Sequence, residues 1–181
     1  MFDGAGKIFQ NAYIVDDIDA MMDHWVKLEG AGPFFLHRNL QLDIEYRGQP
    51  SSIDIDLAIG QAGPVHIELI QVHCDNPTVY TDTVPKGSGP RFHHNGYLAR
   101  DFDAAVAAYE GAGYEIAMKG VFGDTPFVYV DTFDAVGCFT EFHEDTAEIR
   151  AMFKYIADAS TGWDGSRPIR PMSELLQWMN D

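Results

Sequence analysis

The chain has 181 residues, 46% of them apolar and 22% charged, which suits one globular domain with a sizeable core. Acidic residues outnumber basic ones 28 to 12, and the net charge of −16 argues against nucleic acid or an anionic membrane surface as partner. No apolar run is long enough to span a bilayer, "MFDGAGKIFQ" has no basic stretch followed by an apolar one, and Cys74 and Cys138 form no CxxC, so a cytoplasmic protein with reduced thiols is expected.

Residues 7–15 are apolar, β-branched and aromatic, and read as a strand. Asp17 stands where a helix N-cap belongs, with Asp19 suited to the helix dipole. Ile18, Met21, Met22 and Trp25 follow at helical spacing, and glycine ends the helix. Strand-like runs come next at 33–39, 42–59 and 65–71, the middle one open to division into two strands at "RGQPS".

From residue 91 the pattern starts again. With Gln10 set against His94, Asn11 meets Asn95, Tyr13 meets Tyr97, Asp17 meets Asp101, Asp19 meets Asp103 and Ala20 meets Ala104. Both copies then reach Gly-Ala-Gly, at 30–32 and 111–113, which marks an internal duplication. The second copy has a strand at 91–99, a helix carrying Phe102, Val106 and Tyr109, and strands at 114–120, 126–132 and 137–143. Each half is βαβββ, so the fold class is α+β: module one covers about 7–72 and module two about 91–144 of a single domain. A helix from Ala147 to about Ala159, a Gly/Pro loop and an amphipathic "SELLQWMND" make up an extension at 145–181, where Trp163, Leu175, Leu176 and Trp178 are expected to pack on the body or a partner.

Polar residues interrupt the strands at four related places. Gln10 and His94 lie in the first strand of each module, beside small Ala12 and Gly96 on the same face. Glu68 and Glu141 lie in the last strand of each module, amid apolar neighbours where acids are rare unless paired or bound to a cation. Any one alone is an ordinary surface residue; the four together occupy equivalent positions.

The stretches "QNAYIVDDIDA", "HIELIQ", "HHNGYLARDFDA" and "TEFHE" are similar to the vicinal oxygen chelate superfamily, which includes glyoxalase I, methylmalonyl-CoA epimerase, extradiol dioxygenases and bleomycin-resistance proteins. The likeness covers about residues 7–143 and implies paired βαβββ modules around a metal-centred cleft. It implies Gln10, Glu68, His94 and Glu141 as metal ligands, with His94 preferred to His93 because it keeps the spacing to Asp101 that Gln10 keeps to Asp17. One nitrogen and three oxygen donors suit Zn, Ni or Co, with Mn or Mg also compatible. The implied activity is that of a metal-dependent isomerase or lyase of the glyoxalase type, moving a proton next to a carbonyl or thioester, with Glu141 as first-choice base and Glu68 opposite. His66, His143, Tyr46 and Arg47 are expected to meet the small-molecule substrate, and the assembly to be a homodimer. Three other readings stay open: an acyl-CoA epimerase, a metal-free binding protein of the resistance type, and an extradiol dioxygenase, which needs a second histidine ligand.

Overall fold

The computed structural model describes residues 6–180, so the readings made on the first five residues and on Asp181 lie outside it. The first module runs β1 (Ile8–Ile14), α1 (Ile18–His24, prolonged by a π-helical turn at Trp25–Glu29), β2 (Phe34–Tyr46), β3 (Gln49–Ala62) and β4 (Val65–Val72). A short helix α2 (Val79–Thr83) leads to the second: β5 (Arg91–Ala99), α3 (Phe102–Gly111), β6 (Ile116–Phe122), β7 (Thr125–Val130), a helical turn α4 (Phe133–Val136) and β8 (Phe139–Glu144). The extension adds α5 (Ala147–Ser160), β9 (Ile169–Pro171) and α6 (Met172–Asn180).

The duplicated capping residues behave alike. Asp17 accepts from the Ala20 amide and Asp101 from the Ala104 amide, each at 3.0 Å. Asn11 and Asn95, also equivalent, meet each other: the Asn11 amide donates to Asn95 Oδ1 at 2.7 Å across the junction of the modules.

The expected division of strands in the first module is corrected. The runs 33–39 and 42–46 are one strand, β2, which bulges between His37 and Leu40, where Asn39 has φ 50°. The break lies at Arg47-Gly48, the start of the "RGQPS" stretch where the middle run is open to division, and both φ values there are positive, as a two-residue hairpin loop requires.

The strands run β3-β4-β1-β5-β8-β7-β6-β2, and β2 pairs back to β3, so the two modules join edge to edge into a closed eight-stranded barrel. One seam is β1 antiparallel to β5; the other is β2 against β6, held only from Ile44 to Tyr46 on the β2 side. Helix α1 buries Ile18 and Met22 on the outside of the first module, and α3 buries Ala105 on the second. The inward positions of β2 and β3 are aliphatic, with Leu40, Ile53, Ile55, Leu57 and Ile59 all in the central core.

The extension belongs to that core. Its first helix inserts Ile149, Met152, Phe153 and Ile156, and α6 adds Met172 and Leu175. β9 fixes the segment to the body by pairing with the start of β2, Phe34 opposite Ile169. Trp163 stands close above Gly32 and so packs on the body, whereas Trp178 lies against Tyr155 within the extension and stays half exposed. Thr146 caps α5 by accepting from the Ile149 amide.

Ile156→Ala, at a position with no exposed surface, is expected to cost about 2–5 kcal/mol of stability. Thr146→Ala should cost about 1 kcal/mol. Urea unfolding measures both; an Ile156→Ala loss below about 0.5 kcal/mol, the size of an ordinary surface change, would show that α5 is no part of the core.

Candidate metal centre

The barrel register sets the site. Across β4, β1 and β5, Ala12 stands opposite Glu68 on one side and His94 on the other. On the adjacent rung, Gly96 stands between Gln10 and Glu141. Each small residue thus separates two donors. At Gly96 the space is taken: a Cβ there would come within 3.0 Å of the Gln10 Cβ.

All four donors are at least nine-tenths buried, with exposures of 1% for Gln10, 8% for Glu68, 0% for His94 and 4% for Glu141. Ligand atoms of Glu68, His94 and Glu141 lie within 4.8 Å of one another. His94 Nε2 is 3.2 Å from Glu68 Oε2 and 3.1 Å from Glu141 Oε2, yet none of these three atoms has a hydrogen-bond partner. Their distances suit hydrogen bonds and their directions do not. Lone pairs converging on a common point give this pattern. Gln10 lines the same cleft, and both its amide oxygen and nitrogen are buried without a partner. Such groups are costly to bury unless something satisfies them, and this donor set fits a divalent cation.

His93, set aside as the ligand, has a different place. Its Nε2 is 3.0 Å from the Val79 carbonyl oxygen, which can only accept, so Nε2 carries the hydrogen. Its Nδ1 is then bare and accepts from Nδ1–H of His94 at 2.9 Å. The chain of donors leaves His94 presenting Nε2 to the carboxylates. An imidazole oriented through its second nitrogen is the usual support of a metal ligand. Burial, with the neighbouring His94 charge, pushes His93 down to about 3, so it stays neutral.

The other titrating groups follow the carboxylates. Burial by itself lowers His94, but Glu141 and Glu68 outweigh it and hold the imidazole at about 9. Glu141 is raised by burial and more strongly lowered by His143 and His94, ending well below the ordinary range. His143 lines the cleft with Nε2 3.2 Å from Glu141 Oε2; burial opposes its charge, and Glu141 raises it overall.

The remaining expected substrate contacts lie elsewhere. His66 is on the same rung as Gln10, but its ring packs against Phe9 and Phe153, and burial brings it down to about 4. Tyr46 and Arg47 do not line the cleft. Arg47 sits in the hairpin loop, where its guanidinium binds Asp82, Asp131, Glu115 and the Tyr46 hydroxyl. The "YRG" stretch is a turn.

Two cleft residues, Tyr80 and Tyr129, are missed by the sequence reading. Tyr129 faces Glu141 across β7 and β8, and its hydroxyl lies 3.0 Å from that of Tyr80 on α2. Burial, reinforced by Glu141 and Glu68, lifts both phenols well above their ordinary range, so they remain neutral hydrogen-bond donors. Tyr129 is legible as an inward residue of "FVYV"; Tyr80 comes from the linker between the modules and is not.

With the fold and the converging donors in place, the comparisons give the class. Residues 9–129, more than half the chain, match the Glyoxalase/Bleomycin resistance protein/Dioxygenase superfamily, and the chain belongs to that family. Among solved structures it is similar to a hypothetical protein from Bacillus halodurans C-125, at TM-score 0.55 and 14% identity over 77% of this chain and 94% of that one. It is similar also to a Streptomyces coelicolor methylmalonyl-CoA epimerase variant in complex with 2-nitronate-propionyl-CoA, at TM-score 0.54 and 13% identity over 79% and 99% of the two chains. The Mycobacterium tuberculosis methylmalonyl-CoA epimerase gives TM-score 0.52 and 16% identity over 82% and 91%. At these identities the likeness is one of fold. Comparison with curated proteins returns no match.

Two predictions follow from the histidines. His66 and His93 refuse protons in the folded state that they accept unfolded, so below pH about 6.5 stability falls by about 1.4 kcal/mol per pH unit for each, down to about pH 4 for His66 and about pH 3 for His93. His94 keeps its proton up to about 9, so above pH about 6.5 the metal-free protein also loses stability, until pH passes that value. Urea titrations of metal-free protein should therefore peak near pH 6.5, and a divalent ion replacing the His94 proton should remove the alkaline decline. His93→Ala should weaken divalent-metal affinity about 10–100-fold while His93→Gln, able to accept at the same place, restores part of it; equal affinities in chelator competition would deny His93 an orienting role.

Proposed function

We propose that the chain is a metal-dependent enzyme that removes and returns a proton next to a carbonyl group, an isomerase or lyase of the glyoxalase type. The single observation that carries this reading is the buried convergence of Glu68, His94 and Glu141, with Gln10 beside them, on one unsatisfied centre. A divalent ion (Zn, Ni or Co suits the donors) held by these four residues would supply Lewis acidity to a substrate carbonyl oxygen.

The chain's own groups do the rest. Glu141 is the proposed base: it is ionised, buried, and in contact with His143, which can take the proton onward or return it. Glu68 stands on the opposite, first-module side of the centre, without a second imidazole in ion-pair contact. The Tyr80 and Tyr129 hydroxyls stay protonated; one donates to the other, which leaves the second free to donate to an oxygen that gains charge. The apolar walls keep water from the transferring proton.

Epimerisation, with Glu68 and Glu141 on opposite faces of the reacting carbon, is the second reading. The two-sided placement of the carboxylates and the epimerases among the structural relatives favour it. Oxygen chemistry of the extradiol kind receives less support, because His94 is the one imidazole in the converging group among the described residues. A second copy of the chain as partner, and a cytoplasmic setting, complete the proposal; the first rests on the family resemblance and the second on the two free cysteines. No helix among the described residues is long and apolar enough to cross a membrane.

Protein purified without a chelating tag is expected to hold about one divalent ion per chain, and to catalyse solvent-deuterium exchange at carbon next to a carbonyl. Glu141→Gln should lower exchange by about 10²–10⁴-fold. A wild type whose metal-loaded form exchanges no faster than Glu141→Gln would refute Glu141 as the base, and a chain that binds no divalent ion would refute the metal centre.

A further inference from the structure

Taking the metal reading above as given, we infer that the substrate is an uncharged carbonyl compound with a hydrocarbon body, and that a substrate ending in a carboxylate or phosphate is excluded. The cleft has a cavity of about 60 Å³ that opens at its mouth to solvent, and its lining among the described residues includes no lysine or arginine. The positive groups at the centre (the ion, with His94 and His143 beside Glu141) are already matched by Glu68 and Glu141, so an anionic group at the far end of a substrate would meet apolar wall with no lysine or arginine, inside a protein of net charge −16. The arginines of the first-module hairpin and of the start of α5 are bound to carboxylates: Arg38 to Asp19 and Asp56, Arg47 to Asp82, Glu115 and Asp131, and Arg150 to Asp145.

The two sides of the cleft differ in kind. On the second module, Phe127, Tyr129 and His143 surround Glu141. On the first, Leu57 and Ile59 take the places corresponding to Phe127 and Tyr129, and β2 extends that aliphatic wall with Leu40 and Leu42. Proton-handling groups therefore stand on one side and hydrocarbon on the other. The extension closes the hydrocarbon side further, since Ile149 and Met152 of α5 and Met172 of α6 also line the cleft. A carbonyl group at the converging donors has its carbon skeleton against that wall, where each methylene gains by leaving water.

Calorimetry with two sets of probes tests this. On metal-loaded protein, acetohydroxamate, hexanohydroxamate and octanohydroxamate share one chelating head, so their differences report the wall. Each added methylene should tighten binding by about threefold to fourfold. The monohydroxamate of suberic acid, equally long but ending in a carboxylate, should bind at least about tenfold more weakly than octanohydroxamate. On metal-free protein, octanamide should likewise bind better than the monoamide of suberic acid. Leu42→Arg, at a half-buried wall position, should narrow or reverse the carboxylate penalty. If the acid-ended probes match their neutral partners, or if chain length has no effect, the inference is overturned. If no divalent ion binds but octanamide still outcompetes its acid, the metal reading fails and the apolar specificity stands.

Discussion

Two carboxylates and an imidazole are buried with their ligand atoms gathered at one place, and an unpaired amide lines the same cleft. Neutral packing does not produce this arrangement, and a mutual hydrogen-bond network would have satisfied the atoms that remain unpaired at Gln10, Glu68, His94 and Glu141. The barrel must therefore hold the backbone firmly enough to keep like charges close. It does so through paired strands: every one of the four donors stands on a strand hydrogen-bonded on both edges, at a register fixed by β1 and β5 meeting along the module junction. Gly96 is small because its paired neighbour across the strands, Gln10, leaves no room for a side chain there.

Duplication supplies the frame and divergence supplies the chemistry. The backbone devices recur: aspartate caps, inward first-strand donors and inward last-strand glutamates. The surroundings do not recur. His93 orients His94, whereas Phe9, the equivalent residue, packs against the histidines at 66 and 143 and against Phe153. A reactive side and a solvophobic side result from the same βαβββ plan, and the extension makes the second side deeper.

Much of this was legible in the linear pattern because it depends on local periodicity and on repetition. Strands and both helix caps follow from alternation and from the offset between the copies, which the Asn11–Asn95 bond restates in space; the same offset marks Gln10, Glu68, His94 and Glu141 as polar residues at equivalent places, and their reading as a ligand set comes from the family resemblance. What escaped depends on contacts between segments remote in the chain. Arg47 looked available until the hairpin loop turned it toward Asp82, Glu115 and Asp131. Tyr80 lies in a linker with no periodic signal, and its approach to Tyr129 exists only once the barrel has closed. The extension showed its amphipathicity but not its destination, because an apolar helix face does not say which surface it will cover.

The asparagine pair at the junction has a consequence of its own. One amide gives its hydrogen and the other receives it, so even this matched position is polar along a direction. Two separate half-chains assembled as identical twins would have to carry every replacement in duplicate, at 10 as at 94, at 59 as at 129. Covalent continuity lifts that obligation, and lets each half of the chamber be specialised without altering its mirror partner.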